Sequence, residues 1–312
     1  METTLRAVYL FLYVKDIATS RRFYEEVLGL PVLEEEARAV KYDAGEIILA
    51  LNIAADFGVV LGDEPNKSQL IVFHVGHIDS TRAALEAKGI AFTGPTERYE
   101  IGATATFYDP DGHCLLLYEL SEESLTWPSA DKIREVLAGD SREHTLLRVL
   151  DQHKRASDTD GDPPILGRNK VLYIFNFVTD YQAAKDFYGT TLGLRILEED
   201  TDVGVVKYDA GGILLATHLV ETQTNAPRAE HLSVPRSSAL VLWTPDIRTQ
   251  YRTLEAAGLA FDTGLSDGEI GTIARFHDPN GHGFYLYEPS PAALSWPSGT
   301  KILRLAGQSG VR

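Results

Sequence analysis

His74 and His218 are the side chains of this sequence best suited to chemistry. Each stands in an apolar, strand-like run, where an imidazole can donate a hydrogen bond, act as a general base or ligate a metal. Neither run carries a carboxylate partner. Cys114 is the one cysteine. It has no activating arrangement around it and reads as a small buried residue rather than a nucleophile. Glu119 and Glu288 each follow a tyrosine near a strand end, but their parity sets them opposite Leu116 and Tyr118, and opposite Tyr285 and Tyr287. His113 and His282 follow Asp-Pro-x-Gly and read as turn residues. His77, His144, His153, His231 and His277 read as solvated. The run Asp158-Thr159-Asp160-Gly161-Asp162 starts like a calcium loop, yet Asn169 stands where the bidentate glutamate belongs and Pro163 and Pro164 intrude. It is a flexible acidic linker.

The elements that must position these residues come as a repeat. Tyr9 to Leu30, YLFLYVKDIATSRRFYEEVLGL, returns from Tyr173 to Leu194 as YIFNFVTDYQAAKDFYGTTLGL. Each copy reads as a strand feeding a helix. Tyr9, Phe11 and Tyr13 alternate with Leu10, Leu12 and Val14, giving one aromatic and one aliphatic face. Asp16 and Asp180 are helix N-cap candidates, and Gly29 and Gly193 stand where the helices stop. Phe23, Tyr24 and Val27 make an apolar stripe of helical spacing. The repeat continues through Lys41-Tyr42-Asp43-Ala44-Gly45 and Lys207-Tyr208-Asp209-Ala210-Gly211. It also pairs Asp109-Pro110-Asp111-Gly112-His113 with Asp278-Pro279-Asn280-Gly281-His282, and Trp127-Pro128-Ser129 with Trp296-Pro297-Ser298. Each copy reads βαβββ followed by a second βαβββ. Such a long period marks duplicated modules rather than a solenoid. The fold class is α+β. The expected division is a first module at 1–128, a helical connector and acidic linker at 129–167, and a second module at 168–312. The connector is read as helices Asp131 to Ala138 and Ser141 to Lys154, with the linker from Ser157 to Pro164.

With 312 residues and 44% apolar content, the chain can bury a sizeable core. A formal charge of −16 argues against nucleic acid, which needs clustered Lys and Arg. An acidic field can instead draw in cations. No apolar run reaches membrane-spanning length, no signal-peptide layout opens the chain, and a lone cysteine forms no intramolecular disulfide. These features point to a cytoplasmic protein that engages neither membrane nor nucleic acid.

The run V-K-D-I-x-x-S-x-x-F-Y-x-x-V-L-G-L at Val14 to Leu30, its copy at Val178 to Leu194, and D-P-[DN]-G-H in both modules resemble the vicinal oxygen chelate superfamily. That family holds glyoxalase I, bleomycin-resistance proteins, fosfomycin-resistance enzymes and extradiol dioxygenases. The resemblance implies paired βαβββ units forming a cupped sheet with the ligand on its concave side. In the metal enzymes of the family the ligands stand at strand positions that here fall on Tyr9, Ala50, Leu70 and Leu116, and on Tyr173, Ala216, Ala239 and Tyr285. Aliphatic side chains have no lone pair to give, so no metal and no cofactor is implied.

The same counts, with a period of two, line the first cup with Tyr9, Phe11, Tyr13, Asn52, Val72, His74, Cys114, Leu116 and Tyr118. The second cup is lined with Tyr173, Phe175, Phe177, His218, Val241, Trp243, Tyr285 and Tyr287. Such walls suit stacking on a planar or cationic group. The function expected from the resemblance is metal-independent sequestration of a small aromatic or cationic organic molecule, as in bleomycin-resistance-type proteins, by a monomer or homodimer. The alternative is a lyase, isomerase or dioxygenase with an unusual metal site or none, using His74, His218, Tyr9, Tyr173 and Tyr285.

Overall fold

The computed structural model describes residues 5–138, 166, 170–220 and 237–308. The first repeat contributes β1 (Arg6–Val14), β2 (Val32–Glu35), β3 (Ala39–Asp43) and β4 (Ile48–Ile53). It then adds β5 (Asn66–His74), β6 (Glu97–Tyr99), β7 (Gly102–Tyr108) and β8 (His113–Leu120). The second repeat contributes β9 (Val171–Val178), β10 (Ile196–Asp200), β11 (Val205–Asp209) and β12 (Leu214–Leu219). It closes with β13 (Ser238–Trp243), β14 (Ser266–Gly268), β15 (Gly271–His277) and β16 (Gly283–Pro289). A helix follows the first strand of each βαβββ unit. Asp16 and Asp180 cap two of these helices, each carboxylate accepting a backbone N–H at 2.9 Å, from Thr19 and Ala183. Both helices run on into a wide π turn, Arg22–Val27 and Asp186–Thr191, and stop before Gly29 and Gly193, which take φ of 74° and 69°. Ser141 to Lys154, the linker Ser157 to Pro164, and His144, His153 and His231 lie outside the described residues. No helix among the described residues is long and apolar enough to cross a membrane.

The strands form two eight-stranded sheets, and the units exchange between repeats. The first sheet runs β14-β15-β16-β13-β1-β4-β3-β2 and the second β10-β11-β12-β9-β5-β8-β7-β6. Each sheet therefore joins one unit of the first repeat to one of the second, through antiparallel pairs β1 with β13 and β5 with β9. This corrects the grouping of cup residues by module. Tyr9, Phe11, Tyr13 and Asn52 share a concavity with Val241, Trp243, Tyr285 and Tyr287. Tyr173, Phe175, Phe177 and His218 share the other with Val72, His74, Cys114, Leu116 and Tyr118. Alternation of period two assigns each residue to a face but does not choose the neighbouring strand.

The aliphatic faces and the helices enclose one continuous core that includes Leu10, Leu12, Phe73, Leu117, Ile174 and Phe284. Where the two sheets meet, two buried ionic clusters bind them. His113 donates from Nδ1 to Asp109 at 2.7 Å and from Nε2 to the Ser237 carbonyl at 2.8 Å, while the Tyr24 hydroxyl donates to Asp109 at 2.8 Å. The second cluster repeats this with His282, Asp278 at 2.7 Å, the Ser68 carbonyl at 2.9 Å and Tyr188 at 2.7 Å. These histidines are more than turn residues. With acceptors on both ring nitrogens, each imidazole is a cation that crosses from one sheet to the other. Burial opposes that charge, but the adjoining carboxylate outweighs it, so both imidazoles titrate above their ordinary value and both aspartates below theirs.

A short helix seals part of each concavity. Ile133, Val136 and Leu137 of the helix Ala130–Ala138 pack on Val72, Tyr173 and Leu214. The helix Gly299–Leu305, which the sequence analysis did not identify, places Ile302 and Leu305 on Tyr9, Trp243 and Tyr287. Its signal was available: Trp-Pro-Ser is followed by Lys132-Ile133 in one repeat and Lys301-Ile302 at the same spacing in the other. Matching latches hold the two helices. Ser129 donates from its hydroxyl to Glu198 at 2.6 Å, Glu198 accepts from Lys207 at 2.7 Å, and Lys207 lies 4.6 Å from the Trp127 ring centre. Ser298, Glu34, Lys41 and Trp296 repeat the set at 2.7, 2.5 and 4.8 Å.

Two outcomes follow for stability. The histidine contribution is complete below the ordinary imidazole value of about 6.5 and is lost as pH climbs through the raised folded values. The aspartate contribution is lost as pH falls through the lowered carboxylate values. The urea midpoint should therefore decline on both sides, and the pair His113→Gln and His282→Gln should flatten the alkaline limb and, because each imidazolium also holds its aspartate low, weaken the acid limb as well. In the latches, Glu198→Ala strands the buried Lys207 and should cost about 3–5 kcal/mol by urea denaturation. Glu34→Ala should cost less, because Glu36 remains 3.4 Å from Lys41.

Candidate functional site

The helix Gly299–Leu305 divides the first concavity into a sealed half and an open half. In the sealed half Tyr9 meets Tyr287 edge-on at 6.1 Å, the Tyr287 hydroxyl donates to the Ile270 carbonyl at 2.9 Å, and Trp243 is buried beside them. The open half is a nest of four rings. Phe11 lies 5.8 Å from Tyr285 and 6.3 Å from Phe57, and Phe57 lies 5.2 Å from Tyr13. Phe57 comes from the short 3-10 helix Ala54–Phe57, and nothing in the strand pattern placed it here. Phe11 and Phe57 are half-buried, whereas Tyr13 and Tyr285 are fully covered. Their hydroxyls stand 3.1 Å apart. Burial, reinforced by the Tyr285 hydroxyl, pushes the Tyr13 phenol far up, so it stays neutral and a donor. Asn52 is turned to its own strand, donating to the Ala50 carbonyl at 3.2 Å.

β15 supplies the rim. Ala274 and Phe276 belong to the outer core, so Ile273, Arg275 and His277 between them face the concavity. His277 is not solvated: its Nδ1 lies 2.9 Å from Asp262. A groove of about 240 Å³, lined by Val14, Lys15, Ile53, Ala54, Ala55, Val59 and Leu61, borders this end of the sheet. Ala54 and Val59 belong to the same apolar cluster as Tyr13.

The second concavity has the same division. Tyr118 and Tyr173 pack 6.5 Å apart beneath the helix Ala130–Ala138, and the Tyr118 hydroxyl donates to the Ile101 carbonyl at 2.7 Å. Phe175 and Phe177 occupy the open half with His218, whose ring meets Phe177 edge-on at 5.6 Å. Burial lowers the His218 pKa, so the ring is neutral, and its buried Nδ1 has no hydrogen-bond partner among the described residues. His74 stands at the far end of the sheet. His218 pairs in register with Phe177, whereas the His74 amide donates to the Lys170 carbonyl just before β9 begins. The two histidines are therefore not partners. Cys114 is buried, and burial pushes its thiol up to about 12.

The positions that hold metal in the family's enzymes do not fit one here. They carry Tyr9, Ala50, Ala239 and Tyr285 in the first concavity, and Tyr173, Ala216, Leu70 and Leu116 in the second. Burial raises Tyr9 and Tyr173 away from the phenolate form that a metal would want. Glu119 and Glu288 cap outer helices instead, accepting the Ile78 and Ile247 amides at 2.6 and 2.8 Å. Among the described residues no three of His, Cys, Asp and Glu converge on a point.

A family model described as Glyoxalase/Bleomycin resistance protein/Dioxygenase superfamily matches residues 6–117 and 170–286. Glyoxalase I from Zea mays is similar in fold, with a TM-score of 0.58 at 13% identity over 98% of this chain and 97% of that one. Protein YraH of Bacillus subtilis (strain 168), itself uncharacterized, is 29% identical over 127 residues, which are 37% of this chain and 99% of YraH. With the model matching most of its length in two segments, one per repeat, the chain belongs to the Glyoxalase/Bleomycin resistance protein/Dioxygenase superfamily.

Proposed function

We infer that this chain binds a small aromatic organic molecule, without a metal, in the open half of the first concavity. The observation that carries the reading is the four-ring nest of Phe11, Tyr13, Phe57 and Tyr285, whose outer two members remain partly exposed. Offset or edge-on packing on such rings adds about 0.5–1.5 kcal/mol per aromatic pair beyond area burial. A groove lies beside the nest and shares with it the apolar cluster of Tyr13, Ala54 and Val59. A cation is less well served. The concave-face carboxylates Glu34 and Glu198 are already tied to Lys41 and Lys207. Asp262 on the rim is held by His277 and Arg275. The role that fits is sequestration, since the nest offers contact and no activated nucleophile.

A catalytic reading has one observation in its favour, the neutral His218 imidazole beside Phe177. It would place a lyase, isomerase or dioxygenase in the second concavity. A stoichiometric transition metal retained by protein purified without chelator would favour that reading.

Calorimetric titration with planar bicyclic compounds should give saturable binding. Phe11→Ala should weaken it about tenfold or more, the equivalent of losing roughly 1.5–3 kcal/mol of apolar contact. Trp243→Phe, in the sealed half, should leave affinity within about twofold. Absence of saturable binding across such a panel would remove the proposal.

A further inference from the structure

Arg275 is a charge that ring packing alone leaves unused. It projects from β15 onto the concave face, its cross-strand neighbour is Tyr285, and its charge acts on the Tyr13 phenol. The side chain is only 18% exposed. Among the described residues its one ion pair is with Asp262, 3.5 Å from Nε, and that carboxylate is shared with His277 at 2.8 Å. Nε itself is buried without a hydrogen bond. Taking a guanidinium out of water for so little in return is unfavourable. The fold does not require it, because the matching place in the second concavity, opposite Leu116, holds Thr106. Arg275 thus distinguishes one concavity from the other.

A guanidinium is a planar fork of donors that matches a carboxylate. The Tyr13 and Tyr285 hydroxyls share one hydrogen bond between them, so one of their two protons is left for an acceptor. Phe11 and Phe57 stand on the other side of Tyr285 and Tyr13 as faces for a ring. We propose that the open half of the first concavity takes a small planar aromatic carboxylate, its ring among Phe11, Phe57 and Tyr285 and its carboxylate on Arg275. A hydroxyl of the Tyr13–Tyr285 pair is the second donor. The proposal rests on the aromatic-binding reading above and adds the sign of the ligand's charge. Although the chain is acidic overall, ionic screening within about 8 Å at physiological salt leaves the local guanidinium to decide.

The test is calorimetry on the full chain with three matched probes, 2-naphthoate, 2-naphthamide and 2-naphthylmethylamine, at neutral pH. The acid should bind at one site per chain, at least tenfold tighter than the amide, with the amine weakest. Arg275→Gln should reduce the acid to the affinity of the amide while leaving the amide nearly unchanged. Tyr285→Phe, which keeps the ring and is the milder change should Arg275→Gln fail to fold, should narrow the acid-to-amide ratio several-fold. Equal binding of acid and amide, or preference for the amine, would overturn the charge assignment and leave aromatic binding standing. No saturable binding of any of the three would overturn both.

Discussion

A βαβββ unit ends on a strand whose outer N–H and C=O groups have no partner, and that open edge governs this molecule. β1 and β5 each leave such an edge, as do β9 and β13 in the second repeat. Unpaired backbone groups that are to be buried must find acceptors and donors, and an uncovered edge invites pairing with other chains. Here β1 is covered by β13 and β5 by β9, so four units become two sheets and neither repeat completes a sheet by itself. The buried histidine cations stand at the same seam. Each binds an aspartate of its own hairpin and a carbonyl of the opposite sheet, which fixes how the two sheets meet.

The concave faces show how one scaffold divides its apolar surface between structure and contact. A helix from each tail region covers one half of each concavity and turns Tyr9, Trp243, Tyr287, Tyr118 and Tyr173 into core. The latches at its start lie at the sheet margin, where Trp127 and Trp296 shield the lysines from water. The opposite halves keep partly exposed rings, Phe11 and Phe57 in one and Phe175 in the other. The positions at which metal-using relatives coordinate an ion lie on these same faces and carry phenols and aliphatic groups. The surface is therefore chemically suited to stacking rather than coordination.

Much of this was legible in the residues. The alternation of Tyr9, Phe11 and Tyr13 with Leu10, Leu12 and Val14 gave the faces correctly, because pleating imposes period two whatever the neighbours. Asp16 and Gly29 gave the helix limits because capping is local chemistry. The exchange of units was not legible. β5 and β13 carry the same kind of pattern, and only packing across the sheet decides which of them lies against β1. His113 looked like a turn residue because its sequence neighbours are turn formers, while the Ser237 carbonyl that makes it a cation lies in the other repeat. Phe57 and Arg275 were missed for opposite reasons: the first sits in a short 3-10 helix without strand periodicity, and the second has no counterpart in the repeat that served as the guide.

The order of strands also has a kinetic side. β5 to β12 are consecutive in the chain and make up the whole of the second sheet, whereas the first sheet needs β1 to β4 together with β13 to β16. During synthesis the inner sheet can close as soon as β12 has left the ribosome. β1 can pair with β4 meanwhile, but its other edge has to stay open until β13 follows. The first sheet is the part with the more distant contacts, which form slowly, and its waiting edge is the surface through which a nascent chain would mispair with its neighbours.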